Sequence, residues 1–471
     1  MNIHVVQNGD TLWNIAQQYS SNVNQIAEVN QLANPNALIV GQALVIPTPV
    51  YTYTVQQGDT LGNIAFRYGV TVQMIVEQNQ LANPSAITVG QVLQIPIAFH
   101  TIQQGDSLWK LAQQFATTVS ALMQANGIVD PNNLTIGQVI RIPVRARPVK
   151  EVNTYITEVD QKAIQEIRNV GRYLTYLSPF TYAVKEDGSL TEMREGPILA
   201  AATEQRVAPL LVLTNFTERK FSSDLAATIL RNPTLQETVI TNILSTMKAK
   251  GYKGLNIDFE YVYPEDRENY NAFLRRVVAR LHPQGYLVST ALAPKISGDQ
   301  KGILYEAHDY KAHGEIVDFV VLMTYEWGWA GGSPWAIAPI NEMKKVLDYA
   351  VTVIPRNKIM MGMPLYGRDW KIPWVQGTLA TTVSPQRALQ LAAKYGESIQ
   401  YNETYQSPYF RYTDENGQQH EVWFEDARSV QSKFDTAKQY GLRGVSYWVL
   451  GNPFPQIWPV QDWNFITRKI I

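Results

Sequence analysis

Gly254-Leu255-Asn256-Ile257-Asp258-Phe259-Glu260-Tyr261-Val262 alternates apolar and polar side chains with the period of a β-strand. Leu255, Ile257 and Phe259 fall on one face; Asn256, Asp258 and Glu260 share the other. Same-face neighbours on a strand lie roughly 6–7 Å apart, and two carboxylates at that distance are costly to bury unless one keeps its proton. Like-charge coupling raises one pKa, and a carboxylic acid protonated near neutral pH can donate its proton to a leaving oxygen. The spacing equally allows a buried pair satisfied by backbone groups and arginine.

Around this stretch, from residue 151 to 471, β-rich and helical segments alternate, the pattern of parallel strands joined by helical crossovers. Further candidate strands are NTYITEV from Asn153, YLTYLSPFTYAV from Tyr173, APLLVLTNF from Ala208, LVSTALAP from Leu287, DFVVLMTYEW from Asp318, KIMMGMPLYGR from Lys358 and GVSYWVLG from Gly444. After Pro264, Tyr270, Phe273, Leu274, Val277, Val278 and Leu281 form a helical stripe. Eight strands with crossovers predict an α/β (β/α)8 TIM barrel, with the polar face of the Asn256–Glu260 segment inside and chemistry at the strands' C-terminal ends. Between strands seven and eight, about residues 371–438, a helical pattern and a hairpin around Asn416-Gly417 predict a small α+β insertion.

The chain before the barrel repeats itself. HVVQNGDTLWNIAQQY from His4, YTVQQGDTLGNIAFRY from Tyr53 and HTIQQGDSLWKLAQQF from His100 recur with a period of about 48 residues. Each is followed by a second short helix reaching Asn30, Asn79 or Asn126, then a strand ending at Pro47, Pro96 or Pro143. The order is strand, helix, helix, strand, with Asp10, Asp59 and Asp106 placed to cap the first helix. These units, at 3–48, 52–97 and 100–145, resemble the LysM module. The resemblance implies small α+β (βααβ) domains binding N-acetylglucosamine-containing glycans such as peptidoglycan or chitin. The groove it implies uses Asp10, Thr11, Leu12, Asn34 and Pro35; Asp59, Thr60, Leu61, Asn83 and Pro84; and Asp106, Ser107, Leu108, Asp130 and Pro131. Linked weak sites gain avidity on a repeating polymer.

Composition narrows the partner. The 471 residues carry a formal net charge of −1 with 17% charged residues, so no basic field is available for nucleic acid or an anionic membrane. No apolar run approaches the roughly 20 residues that span a bilayer. The N-terminal MNIHVVQNGD lacks the basic and apolar segments of a classical signal peptide. Eleven Trp and 25 Tyr give sugars flat rings to stack on, although core packing accounts for many of them. The absence of cysteine and the six scattered His predict no metal site, and no cofactor is expected.

The strand around Glu260 also resembles the active-site strand of glycoside hydrolase family 18, the chitinase-like group, whose motif is Asp-x-x-Asp-x-Asp-x-Glu. Aligned on Glu260, Asp258 is the adjacent carboxylate, while Lys253 and Asn256 stand where the earlier aspartates would be. Met323-Thr324-Tyr325-Glu326 resembles the family's Met-x-Tyr-Asp with glutamate for aspartate, and Trp448 matches the tryptophan that floors the central sugar subsite. Asn215, in LTNF, stands in the place of the family's Ser-x-Gly-Gly. The resemblance implies a barrel over 151–471 that hydrolyses glycans with retention, the substrate's own 2-acetamido group acting as nucleophile. It assigns Glu260 as acid/base, Asp258 to the amide N–H and Tyr325 to the carbonyl oxygen. Asn256, Asn215, Met323, Glu326, Tyr366, Arg368 and Trp448 are the candidate substrate contacts, while Glu425 and Asp426 reach the cleft from the insertion, cap a helix or face solvent.

Joined to LysM repeats, this barrel resembles the spore-germination N-acetylglucosaminidases that act on cortex peptidoglycan, which places the protein at the spore coat and cortex or the cell wall. A LysM-anchored chitinase and a catalytically silent coat protein are the alternatives. Glu260, Asp258, Tyr325 and Trp448 favour an enzyme.

Overall fold

The computed structural model describes residues 1–471 apart from 20, 48–50, 69, 80, 82, 96, 116, 143–146 and 218–219. The chain divides into two compact units, Met1–Leu38 with Ala43–Arg147, and Ile39–Gln42 with Pro148–Ile471.

The first unit holds the three repeats. Each opens and closes on an antiparallel strand pair: Asn2–Val5 with Ala43–Ile46, Tyr51–Thr54 with Val92–Ile95, and Ala98–Thr101 with Val139–Ile142. Between the strands lie helices Leu12–Gln18 and Val23–Val29, Leu61–Tyr68 and Val72–Gln78, and Leu108–Gln114 and Val119–Asn126. The helices enclose small apolar cores such as Leu12, Ile15, Ala16, Ile26, Leu44 and Ile46. The first strands begin one or two residues before the expected 3, 52 and 100, while 48, 145, Pro96 and Pro143 lie outside the described residues.

An asparagine at the end of each second helix ties it to the closing strand. The Asn30 amide donates to Ile26 O and Val45 O at 2.8 Å and accepts from Val45 N at 2.8 Å. Asn79 and Asn126 repeat the pattern on Gln94 and Arg141. A carboxamide offers the donor and acceptor of a peptide group, so it satisfies a strand edge that the short hairpin leaves open.

The second unit is the expected barrel. Its strands are β1 (Val149–Ile156), β2 (Tyr176–Pro179), β3 (Ala208–Thr214), β4 (Gly254–Asp258), β5 (Leu287–Leu292), β6 (Phe319–Leu322), β7 (Ile359–Pro364) and β8 (Gly444–Leu450). Each pairs in parallel with the next, and β8 returns to β1 to close the ring. The alternation of β4 is realised: Phe259, just beyond it, stacks on Tyr270 and Phe273 of the helix Arg267–Leu281, while Asn256 and Asp258 turn inward. Burying Tyr270, Phe273, Leu274, Val277 and Leu281 in that helix supplies roughly 1.5–3 kcal/mol per side chain. β1 starts at Val149, four residues before the expected Asn153, because Ile466–Thr467 adds to its edge.

The excursion between β7 and β8 is a five-stranded antiparallel sheet spanning Gly367–Trp423, with helix Pro385–Tyr395 against it. The hairpin joining Ser407–Thr413 to Gln419–Trp423 turns at Gly417, whose φ of 80° suits a residue without Cβ. The sheet thus ends short of residue 438. Ala427–Gln439 is instead the helix leading into β8, and it packs on helices Ile340–Val353 and Ile457–Asn464. Asp426 caps it with a capping box, so this carboxylate is committed to the helix rather than to the cleft. Glu425 pairs with Lys433 at 2.7 Å, with both side chains at most 1% exposed. Replacing Lys433 by Ala leaves a buried carboxylate without its counter-charge, and urea unfolding is expected to show a loss of about 3–5 kcal/mol.

Candidate active site

The three polar residues of the β4 segment meet three different environments. Asn256 is buried: Oδ1 accepts from the Tyr155 hydroxyl at 2.9 Å, and Nδ2 donates to Ser289 Oγ at 2.9 Å. Its amide is engaged by β1 and β5 and offers a sugar nothing, which corrects its assignment as a substrate contact. Asp258, one step toward the mouth, is 4% exposed, and its Oδ1 has no hydrogen-bond partner among the described residues. Burial raises its pKa to about 7. Glu260 follows beyond the strand end, half-buried. Its pKa is pushed well above the ordinary carboxylate range by burial first, then by the charges of Asp258 and Glu326. Burial and mutual repulsion both disfavour the doubly charged pair, so the two carboxyls titrate as a coupled unit with raised pKa values.

At the end of β6, Met323 and Tyr325 are half-buried, and burial raises the Tyr325 hydroxyl's pKa far above its usual value, so it stays a donor. Glu326 adopts a left-handed backbone, φ 69°, uncommon for a residue with a Cβ. Its Oε1 accepts from Arg368 Nη2 at 2.8 Å and from the Tyr366 hydroxyl, while the Arg368 guanidinium lies 4.9 Å from the Tyr366 ring centroid. Glu326, Tyr366 and Arg368 therefore form one cluster beside the carboxylate pair. Trp448 at the end of β8 contacts the Tyr155 ring at 5.4 Å and meets Phe180 edge-on at 5.0 Å. Together with Tyr325, Tyr366, Trp370 and Trp423 it belongs to an aromatic cluster between barrel and insertion. Trp329 is 55% exposed and lies against Gly331 and Gly332, where a Cβ at Gly331 would come within 2.3 Å of the ring.

Asn215 is placed differently from the expectation. It is fully buried; Oδ1 accepts from Glu260 N at 3.0 Å, and Nδ2 donates to Glu260 O at 2.8 Å and Ser222 O at 2.9 Å. With every polar atom bound to backbone, it is not a sugar ligand.

In the repeats, Asp10 does not cap its helix. Its Oδ2 accepts from Gln7 N at 2.7 Å and pairs with His4 Nε2 at 2.8 Å, closing the strand–helix loop, and Thr11 caps Asn14 N instead. Asp106 does the same with Gln103 and His100, and Asp59 with Gln56 and the Tyr53 hydroxyl; Thr60 and Ser107 are the caps. The aspartate sits one residue too early, so its shortest reach is back to the amide three positions before it. Leu12, Leu61 and Leu108 are core residues, at most 4% exposed, which removes their side chains from any groove. Asn34, Asn83 and Asp130 cap the turns that follow them through Asn36, Ser85 and Asn132 N, and Pro35, Pro84 and Pro131 lie beside them at the surface.

Residues 213–452 match the family described as glycosyl hydrolases family 18, and residues 4–47, 53–96 and 100–143 match the LysM domain. The chain belongs to glycosyl hydrolase family 18. This family 18 chain is a glycosidase carrying three LysM modules. It is similar to the cortical fragment-lytic enzyme of Bacillus cereus, 52% identical over 314 residues, covering 66% of this chain and 73% of that protein. It is also similar to the cortical fragment-lytic enzyme of Bacillus subtilis, 44% identical over 68% of this chain and 75% of that one. Among solved structures, the Bacillus cereus spore cortex-lytic enzyme SleL matches with a TM-score of 0.76 at 41% identity, covering 99% of each chain.

Several residues of the family 18 site were not read from sequence. Tyr155 and Ser289, which hold Asn256, occupy alternating positions in β1 and β5, a signal that was present but pointed equally to core packing. His308, whose Nε2 bonds Phe259 O at 2.9 Å, comes from a loop without a recognisable pattern. In the LysM modules, Trp13 and Trp109 are 63% and 65% exposed beside the strand–helix loops, whereas Gly62 stands at the equivalent place in the second module.

Proposed function

We propose that the barrel cleaves the bond after N-acetylglucosamine in peptidoglycan, by a retaining, substrate-assisted reaction, and that the protein works at the cell wall on spore cortex. The observation that carries this reading is the buried Oδ1 of Asp258, without a partner among the described residues, beside Glu260, whose pKa burial and the charges of Asp258 and Glu326 push well above the ordinary carboxylate range. An unpaired buried carboxylate oxygen is costly, and an amide N–H supplies the partner it lacks.

In this reaction Glu260 gives its proton to the departing glycosidic oxygen while the 2-acetamido oxygen forms a bond to the anomeric carbon. Asp258 accepts the amide N–H, and its negative charge faces the charge that grows on the oxazolinium. The Tyr325 hydroxyl donates to the acetamido oxygen and fixes the attacking group, so orientation is set before the bond breaks. Glu260, now ionised, takes a proton from water, whose oxygen opens the oxazolinium from the face the leaving group vacated. Two inversions give retention. Trp448 provides the floor for the sugar, and Glu326, held by Arg368 and Tyr366, bounds the site on the β6 side.

Similarity to cortical fragment-lytic enzymes over 66–68% of the chain supports peptidoglycan as the polymer. Proton NMR during hydrolysis tests the chemistry: the first-formed reducing sugar is expected as the β-anomer, and initial α-anomer would contradict substrate assistance.

The LysM modules are assigned to holding the polymer. Replacing Asp10, Asp59 and Asp106 together by Ala opens the loops that these carboxylates close. Sedimentation with purified sacculi is expected to show at least about tenfold weaker binding, because three linked weak sites act through avidity. Turnover of soluble fragments should stay at the wild-type rate.

A further inference from the structure

Strand β4 leaves the barrel's hydrogen-bond ladder at Asp258, which pairs with Thr214 of β3. Glu260 therefore stands on backbone that no neighbouring strand holds, although a proton donor must be placed to within a fraction of an ångström. Side chains take over where the ladder stops. His308 Nε2 donates to Phe259 O at 2.9 Å, Asn215 Nδ2 to Glu260 O at 2.8 Å, and Ser223 Oγ to Tyr261 O at 2.5 Å. Three consecutive carbonyls are thus gripped in turn, and Asn215 Oδ1 also receives Glu260 N at 3.0 Å.

We propose that Asn215, with His308 and Ser223, is the positioning device that sets the height and direction of Glu260 over the scissile bond. This deepens, and rests on, the assignment of Glu260 as the acid. Asn215 follows Thr214 at the end of β3, and its carboxamide presents the donor and acceptor of one further ladder rung. A peptide group at that place would continue the strand straight on. A side-chain amide lets the backbone of β3 turn away to Ser222 while the Glu260 peptide stays fixed. His308 is well suited to its share. Its Nδ1 accepts from Ala293 N at 2.9 Å, which places the proton on Nε2, and burial keeps the ring neutral, with its pKa down at about 4. The grip therefore does not loosen as pH changes through the working range. Tyr261, the next residue, has a left-handed backbone with φ 54°, and the Ser223 bond holds the chain through that turn.

The test is steady-state kinetics of Asn215→Ala, His308→Ala, His308→Gln and Ser223→Ala in the full chain, on pre-cut cortex fragments and on an aryl chitobioside, with thermal melting of each variant. Asn215→Ala and His308→Ala are expected to lower kcat about 10- to 100-fold with KM within about threefold, since a misplaced group slows reaction without weakening binding. His308→Gln, which keeps a donor within reach of Phe259 O, should recover most of the loss. If Asn215→Ala does not fold, Ser223→Ala, at a half-exposed site, decides, with a kcat reduction of about three- to tenfold expected. Unchanged kcat in the folded variants overturns the proposal, and so does a raised KM with kcat intact, which would make Asn215 a substrate contact. Glu260→Gln is run alongside: if it turns over normally, the acid assignment fails, independently of Asn215.

Discussion

Glu260→Gln is expected to lower kcat on cortex fragments by about 10²–10⁴-fold, the contribution of a positioned proton donor, while leaving glycan binding unchanged. The amide is close in size and keeps the hydrogen-bonding reach of the acid, but it has no proton to give to the leaving oxygen. It also removes a group whose pKa is raised by burial and by Asp258 and Glu326, so the variant should be no less stable than wild type. Thermal melting and binding to sacculi, measured on one preparation, separate lost chemistry from lost folding. A variant that turns over within tenfold of wild type would remove Glu260 from the mechanism.

Asp258→Asn is expected to change both the rate and the pH profile. The Asp258 charge is one of the causes that raise the Glu260 pKa. Removing it lowers that pKa, so Glu260 loses its proton earlier as pH rises, and the alkaline limb of kcat/KM moves to lower pH. The acid limb of the wild type reports protonation of Asp258, whose own pKa burial raises to about 7, and this limb should disappear in the variant. Because the two carboxyls are coupled, both limbs are expected to respond to one substitution. Turnover itself should fall about 10²–10³-fold, because the oxazolinium loses the anion that faces it. An unshifted alkaline limb would mean that the two carboxyls do not communicate.

The barrel was legible because its strands are short apolar runs between amphipathic helices, and the β4 segment showed its inward face through strict alternation. The limits of that pattern are equally physical. Alternation identifies which face a side chain takes but not what it touches there, and the family resemblance made Asn256 and Asn215 candidate sugar contacts when their amides are bonded inside the protein. Leu12, Leu61 and Leu108 lie inside a matching motif, yet the same residues begin the buried stripe of a helix, and burial won. Asp10 was expected to cap its helix, but the loop turns its carboxylate back to Gln7 N and leaves the cap to Thr11. The edge strand Ile466–Thr467 was invisible because its pairing partner lies more than 300 residues away. Spacing placed Asp258 and Glu260 on one face, since the distance between same-face neighbours on a strand is a property of the backbone, but it equally allowed a pair satisfied by backbone groups and arginine.

The central claim, that Glu260 cuts cortex peptidoglycan after N-acetylglucosamine, is tested most directly by borohydride reduction and mass spectrometry of the ends released from purified spore cortex by wild type and by Glu260→Gln. New reducing N-acetylglucosamine ends with wild type alone are the predicted result. No new ends from wild type on intact cortex or pre-cut fragments, or new ends at muramic acid instead, would contradict the account.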